Sequence, residues 1–452
     1  MTTWLKTAAE RAMTYVEQIN DRRVFPAQDA IDALAQFDEA FPEAPTSPDA
    51  VVQLLDELGS PATVATTGGR YFGFVIGGVL PAAMAASWLM TAWDQNGGLT
   101  VMSPVAAKLE RIAGRWLVDA LDLPAETSVG LVTGATMANF IALTAARHHL
   151  LERAGWNVET QGLFGAPEIK VFVGGEVHAS LLKALMLVGF GRERVTRVPV
   201  DDQGRMRADQ LPLLDEMTLV CIQAGNVNTG AFDPAQPICE VAQAAGAWVH
   251  VDGAFGMWAR AVPERRHLTA GYELADSWAM DGHKWLNVTY DNGIVLCKHD
   301  YPLRAAMSIS APYLITDDDR EPYYYTPEMS RRARGIEVWA ALKSLGRSGL
   351  ADLIEGNCRL AARFAEGLRA QGYDVLNDVV INQILVSFGS REETLAMIAA
   401  IQQEGTFWAG QTVWQGRTAM RISVSSWATT ADDIDRALEA VKRVALGQRE
   451  RL

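Results

Sequence analysis

The chain has no surplus of positive charge. Its 40 lysines and arginines stand against 54 aspartates and glutamates, a formal net charge of −14. With no lysine and arginine stripe to track phosphates, that balance repels polyanions and excludes nucleic acid as a partner. Cysteine is scarce. Cys221, Cys239, Cys297 and Cys358 are scattered without C-x-x-C spacing, so neither a zinc or other metal centre nor a disulfide framework is expected, and a reducing cytoplasm fits. The opening "MTTWLKTAAERAMTYVEQIN" mixes charge into an amphipathic pattern and lacks an apolar core with a cleavage site, so no signal peptide is expected. Long hydrophobic runs are nearly absent too. The exception is Tyr71 to Trp93, "YFGFVIGGVLPAAMAASWLMTAW", which has no charged residue. Gly73, Gly77, Gly78 and Pro81 break its first half, and no second such segment accompanies it. It reads as a buried or subunit-facing segment and not as a membrane span.

What is present describes a folded enzyme-sized protein: 452 residues, 49% apolar, with thirteen tryptophans, enough for two or three domains. The first part reads as short helices, Trp4 to Asn20, Asp29 to Phe41 and Pro48 to Leu58, too small to fold alone. "SPVAAKLERIAGRWLVDALDL" has a serine cap, a proline in its first turn and apolar residues at helical spacing. From Val129 short apolar runs alternate with helices: "VGLVTG", "IKVFVGG", "RVTRVPV", "TLVCIQAG" and "AWVHVDG". That alternation predicts an α/β fold with a mainly parallel sheet covered on both faces. A smaller C-terminal α+β unit follows, containing "NQILVSFG", "AMRISVSSW" and a closing helix. The expected boundaries are 1–68 for the helical segment, 69–335 for the large domain and 336–452 for the small one.

In open α/β sheets ligands sit outside the carboxyl ends of the strands, and here those ends carry unusual residues. "TGATMANF", from Thr133, is a small-residue turn entering a helix: either an ordinary cap or a seat for an anion, with Thr136 offering a hydroxyl. His178 stands where a strand hands over to a helix, and could be structural. Asp252, in "AWVHVDGAFG", follows an apolar strand beside Gly253 and Ala254; it either caps or pairs with a cation or proton donor. Lys284, in "SWAMDGHKWLNVTYD", ends an apolar run beside Asp281 and His283. A desolvated lysine there can attack a carbonyl and form a Schiff base, whereas a lone one would snorkel to solvent.

Phosphate turn, flat-stacking histidine, acidic partner and imine lysine, in that order, are the parts that hold pyridoxal phosphate. On "RYFGF", "HVDGAFG", "DGHKW" and "RISVSSWATT" the chain resembles the fold-type I, group II pyridoxal-phosphate-dependent decarboxylases, which include the aromatic amino-acid and glutamate decarboxylases. The resemblance covers nearly the whole length and implies a seven-stranded, mainly parallel sheet. It implies that Lys284 holds the cofactor as an aldimine, that His283, Ala135 and Thr136 bind its phosphate, and that Asp252 pairs with the ring nitrogen. His178 would stack on one ring face and Ala254 on the other. The substrate would be an L-amino acid, losing CO2 to leave a quinonoid carbanion and then an amine. Relatives return the proton from a loop tyrosine; Tyr323, Tyr324 and Tyr325 match that region, with Tyr324 slightly favoured, although all three could be interface aromatics. Without a donor, an aldehyde would form instead. Tyr71, Phe72 and Phe74 match substrate-pocket positions. The helix after them is buried between subunits in relatives, and the N-terminal segment embraces the partner, so a homodimer is implied.

Two departures stand out. Asp281 occupies a position where many relatives have asparagine, and its carboxylate would repel phosphate unless turned away or protonated. The threonines that approach the ring hydroxyl fall in "GNVNTGAFD", so Asn226 or Asn228 would substitute. The rival reactions on the same scaffold are a carbon–carbon lyase like the sphingosine-phosphate lyases, or an aminotransferase with Arg421 for the substrate carboxylate. A non-catalytic cofactor-binding protein is the alternative of another class.

Overall fold

The computed structural model describes residues 3–309 and 320–449. The chain divides into two compact units: 79–359 with 377–383, and 1–78 with 360–376 and 384–452. The larger unit is built on seven strands: β1 (Ser128–Val132), β2 (Lys170–Gly174), β3 (Thr196–Val198), β4 (Thr218–Gln223), β5 (Trp248–Asp252), β6 (Ser277–Asp281) and β7 (Gly293–Cys297). Their order is β1-β7-β6-β5-β4-β2-β3. The pairs from β6 to β3 are parallel, and β7 runs antiparallel to both β6 and β1. The seven-stranded, mainly parallel sheet is thus as expected, while β7 falls on a run, "GIVLC", that the strand–helix alternation does not single out. It is wholly buried, so it has no period-2 pattern to betray it.

The helix Ala135–Arg153 crosses the sheet and buries Ala138, Ile141, Ala142, Ala145 and Ala146 against strand residues such as Val132, Val173 and Val295. Small residues on that face let helix and sheet approach closely. The capped helix lies at Pro104–Ala120, with Ser103 Oγ accepting the Ala106 N–H at 3.3 Å. Its Glu110 forms a buried ion pair with Arg331 at 2.7 Å, and Arg331 also donates to the Leu131 carbonyl at 2.9 Å, fixing β1 from beneath.

The uncharged segment does not form one helix. It is irregular through Leu80, and only Pro81–Trp93 is helical. No helix among the described residues is long and apolar enough to cross a membrane.

The smaller unit holds β8 (Asp374–Val375), β9 (Gln383–Ser387), β10 (Gly410–Trp414) and β11 (Arg417–Ser423), in the order β10-β11-β9-β8. Its helices include Arg391–Glu404, opened by a Ser390/Glu393 capping box, and the terminal Ala431–Arg449. Residues 1–78 fall with this unit and 336–359 with the larger one, and the stretch Gly335–Ala370, two helices meeting at a kink at Gly346, carries the chain from one unit to the other.

Within the larger unit Asp233 pins the end of β4. Its two carboxylate oxygens accept the N–H groups of Gln223 and Met206, both at 2.7 Å, and burial pushes its pKa from 3.8 to about 6. A carboxyl group whose folded pKa is raised contributes most below its unfolded pKa and loses that contribution as pH climbs through the folded one. Asp233→Asn leaves one N–H facing an amide NH2 and should cost about 1–3 kcal/mol. Urea unfolding should show a smaller gap between the two proteins at about pH 7.5 than at about pH 4, because only the wild type carries the buried charge.

Candidate active site

Lys284, His178, Asp252 and Ala254 line one cleft, together with Gln223, Gly225, Val227 and Phe255. The sheet register causes this. Gln223 pairs with Asp252 and Asp252 with Ala279, so β4, β5 and β6 deliver their carboxyl ends side by side. The turns beyond them are packed tightly. Gly225 has φ +86, and a Cβ there would press on the Gly256 backbone at 2.9 Å.

Asp252 is buried, and burial raises its carboxyl pKa; His178 and Lys284 act in the opposite direction, and Asp281 adds to the rise. Such a carboxylate is stabilised by a protonated nitrogen. His178 caps the helix Ala179–Val188: its Nδ1 accepts the Ser180 N–H at 3.2 Å and lies 2.6 Å from Ser180 Oγ. The neutral ring therefore carries its proton on Nε2.

Asp281, at the end of β6, is the hub on the lysine side. Its Oδ2 lies 3.0 Å from Lys284 Nζ. Its Oδ1 accepts the Ala135 N–H at 2.6 Å and sits 3.4 Å from His283 Nε2. Asp281 is thus turned toward the phosphate turn, not away from it. His283 Nδ1 accepts the Asn292 N–H at 3.2 Å, so the neutral ring again bears its proton on Nε2. Burial pulls the His283 pKa down, Asp281 pulls it up, and Lys284 lowers it further. The imidazole offers an anion a neutral N–H donor. A Cβ on Gly134 would stand 3.3 Å from His283 Cε1 and 3.4 Å from Asp281 Oδ1, so both side chains crowd the N-terminus of the helix that begins with Ala135 and Thr136.

Other expected residues lie elsewhere. Asn226 is buried and holds its own turn, its Oδ1 accepting the N–H groups of Asn228 and Thr229 and its Nδ2 donating to Gln223 Oε1 at 3.2 Å. Asn228, half-buried in that turn, is not among the residues lining the cleft; Val227 is. Tyr323 and Tyr325 are buried, and Tyr325 donates to Asp300 at 2.9 Å. Tyr324 packs under the Arg304 guanidinium at 4.5 Å and is not one of the cleft-lining residues either. Residues 316–319 of the acidic stretch lie outside the described residues. In the smaller unit Phe72 is buried against Phe364 and Phe407, whereas Tyr71 and Phe74 stack on Trp408 at 5.2 and 5.5 Å. Arg421 lies on β11, opposite Gly410. Sequence reasoning missed Gln223, Val227 and Trp408. Position at a strand end could have flagged Gln223; nothing local marks the other two.

The sequence model of the pyridoxal-dependent decarboxylase conserved domain matches residues 32–389. Tryptophan decarboxylase 1 of Oryza sativa subsp. japonica is 26% identical over 83% of this chain and 80% of its own length. Phenylacetaldehyde synthase of Petunia hybrida is 25% identical over 89% and 86%. Among solved structures, Oryza sativa TDC with PLP and tryptamine superposes with a TM-score of 0.90 at 22% identity, covering 99% of this chain and 97% of that one. Catharanthus roseus tryptophan decarboxylase in complex with L-tryptophan gives 0.85 at 20%, covering 97% and 96%. These likenesses establish the fold. The chain belongs to the pyridoxal-dependent decarboxylase family, and it is a pyridoxal-phosphate-dependent carboxy-lyase acting on an amino acid.

The residues fit that cofactor. An amine, a buried carboxylate and an imidazole converge on one cleft, and Asp281, the ion-pair partner of the lysine, also accepts the first N–H of a helix. Asp252→Asn keeps the shape and loses the charge that would hold a ring nitrogen protonated. Turnover should fall roughly 10- to 100-fold, the worth of a charge-assisted hydrogen bond, while visible absorbance still reports cofactor on the protein. Steady-state kinetics beside the absorption spectrum check this.

Proposed function

We propose that the protein decarboxylates an aromatic L-amino acid to its amine and CO2, with Lys284 holding pyridoxal phosphate. The observation that carries the reading is the convergence of Lys284, Asp252, His178 and Ala254 on one cleft. When bound, the cofactor supplies an aldehyde for the substrate's amino group and a ring that takes up the electron pair left by departing CO2. Asp252 keeps the ring nitrogen protonated. His178 and Ala254 hold the ring flat between them, and His178, with its Nε2–H, orients the substrate. His283, Ala135 and Thr136 would receive the phosphate, and Lys284 would hold the cofactor through its amine.

The substrate class is supported by relatives named tryptophan and tyrosine decarboxylases. The Tyr71, Phe74 and Trp408 stack, with Phe74 59% exposed, is a surface suited to a flat apolar side chain. Aldehyde formation, with O2 and water consumed and CO2, ammonia and hydrogen peroxide released, is a second outcome. It is favoured by the packing of Tyr324 beneath Arg304 and by relatives named phenylacetaldehyde synthase. Four buried free thiols support a reducing compartment.

The test is CO2, amine and aldehyde release by the cofactor-loaded protein from L-tryptophan, L-tyrosine, L-phenylalanine and L-glutamate. CO2 and amine are expected from one or more aromatic substrates, with none from L-glutamate and none from Lys284→Ala. CO2 from L-glutamate alone would sink the substrate class; no CO2 from any of the four would sink decarboxylation of these amino acids.

We also propose a homodimer. The helix Pro81–Trp93 buries Ala83 and Met90 but exposes Trp88, Leu89 and Trp93. The following stretch exposes Val101, Met102 and Val105, together an apolar surface of the kind a second subunit covers. Leu89→Glu with Trp93→Glu should halve the mass measured by sedimentation equilibrium, and a wild type of single-chain mass would refute the dimer.

A further inference from the structure

We infer that Asp281 is an internal anion that occupies the phosphate seat in the cofactor-free chain and must be displaced for the cofactor to load, which makes it a brake on loading. The inference rests on the proposed cofactor role of Lys284 and goes beyond it. One carboxylate contacts two of the three residues assigned to the phosphate, the Ala135 N–H at 2.6 Å and His283 Nε2 at 3.4 Å, and also the Lys284 amine, whose Nζ lies at 3.0 Å. It is itself buried, 3% exposed, so water screens it little. The Ala135 N–H opens the helix Ala135–Arg153, where the helix dipole and unpaired N–H groups favour an anion.

A phosphate arriving at that turn competes with Asp281 for the same donors and meets a like charge at close range. The turn is close-packed: a Cβ on Gly134 would stand 3.3 Å from His283 Cε1 and 3.4 Å from Asp281 Oδ1. The Lys284 amine must also leave its ion pair before the cofactor can be attached to it. An asparagine at 281 would keep an oxygen for the Ala135 N–H and drop the charge.

The experiment compares wild type with Asp281→Asn as apoproteins. Dissociation constants and association rates of pyridoxal phosphate, and of pyridoxal, which has no phosphate, are read from visible absorbance. Binding of inorganic phosphate is read by calorimetry. Asp281→Asn should bind pyridoxal phosphate and inorganic phosphate about tenfold or more tightly and load faster, with pyridoxal changed much less. An equal gain for pyridoxal and pyridoxal phosphate would place the whole effect on Lys284 and overturn occupancy of the phosphate seat. Weaker binding of pyridoxal phosphate would make Asp281 a supporting ligand and overturn the brake. If neither protein takes up pyridoxal phosphate, the cofactor role of Lys284 fails, and the phosphate calorimetry still decides whether Asp281 holds an anion seat. Asp281→Ser, small and neutral, repeats the comparison should the asparagine variant unfold in a thermal melt.

Discussion

A parallel sheet ends its strands along one edge, and the site depends on three of those endings falling in step. Gln223 lies opposite Asp252, and Asp252 opposite Ala279, so Asp281 ends β6 two residues further on and Lys284 follows in the next turn. A slip of one residue in β5 would turn Asp252 to the other face of the sheet. The register is secured from both sides. β7 pairs antiparallel with β6 along five residues, and a Cβ on Gly293 at its start would collide with the backbone of Gly134. That close approach sets the N-terminus of the helix Ala135–Arg153 against the end of β6, which is why Asp281 can reach the Ala135 N–H.

The floor beneath Asp252 is polar yet uncharged. Residues 248, 250 and 252 share one face of β5 by the period of two. His250 Nε2 lies 2.8 Å from Asn139 Oδ1 and its Nδ1 3.0 Å from Ser277 Oγ, which also accepts the Trp248 indole N–H at 3.0 Å. Burial drives the His250 pKa down to about 3, so the ring is neutral and no cation competes from below for Asp252. A neutral network of this kind avoids the desolvation cost of a buried charge, although the Asn139 Nδ2 amide nitrogen within it has no hydrogen-bond partner.

Much of this was legible in the chain because it depends on local chemistry. The Ser103 cap, the strand–helix alternation from Val129 and the residues at strand ends are properties of short segments, and they led to His178, Asp252 and Lys284. What was not legible depends on contacts distant in sequence. The direction and burial of β7 follow from its two neighbours, not from its own five residues. Val227 enters the cleft because Asn226 uses its side chain to hold the turn, so the apolar neighbour faces inward. Asp281 was recognised as out of place, yet its orientation depends on Gly134, some 150 residues earlier in the chain. The helical segment 1–78 joins the C-terminal unit through pairings such as Phe72 with Phe364 and Phe407, which no pattern within the segment announces.

The backbone at Phe74 and Val75 carries a separate argument about the aromatic stack. Both are non-glycine residues at positive φ, 53° and 60°, a region that costs roughly 1–2 kcal/mol per residue for a side chain with a Cβ. Two such residues in succession persist only where surrounding contacts over-determine them. Val75 is buried, which offsets part of the cost, but Phe74 is exposed and gains little from burial. What holds Phe74 is Trp408, on which both it and Tyr71 stack, and Gly73, where any Cβ would strike the Trp408 ring. A glycine at 74 would relieve the backbone at once, so the aromatic ring is kept at the surface against the preference of its own main chain. Stacking on Trp408 is the contact that offsets this strain.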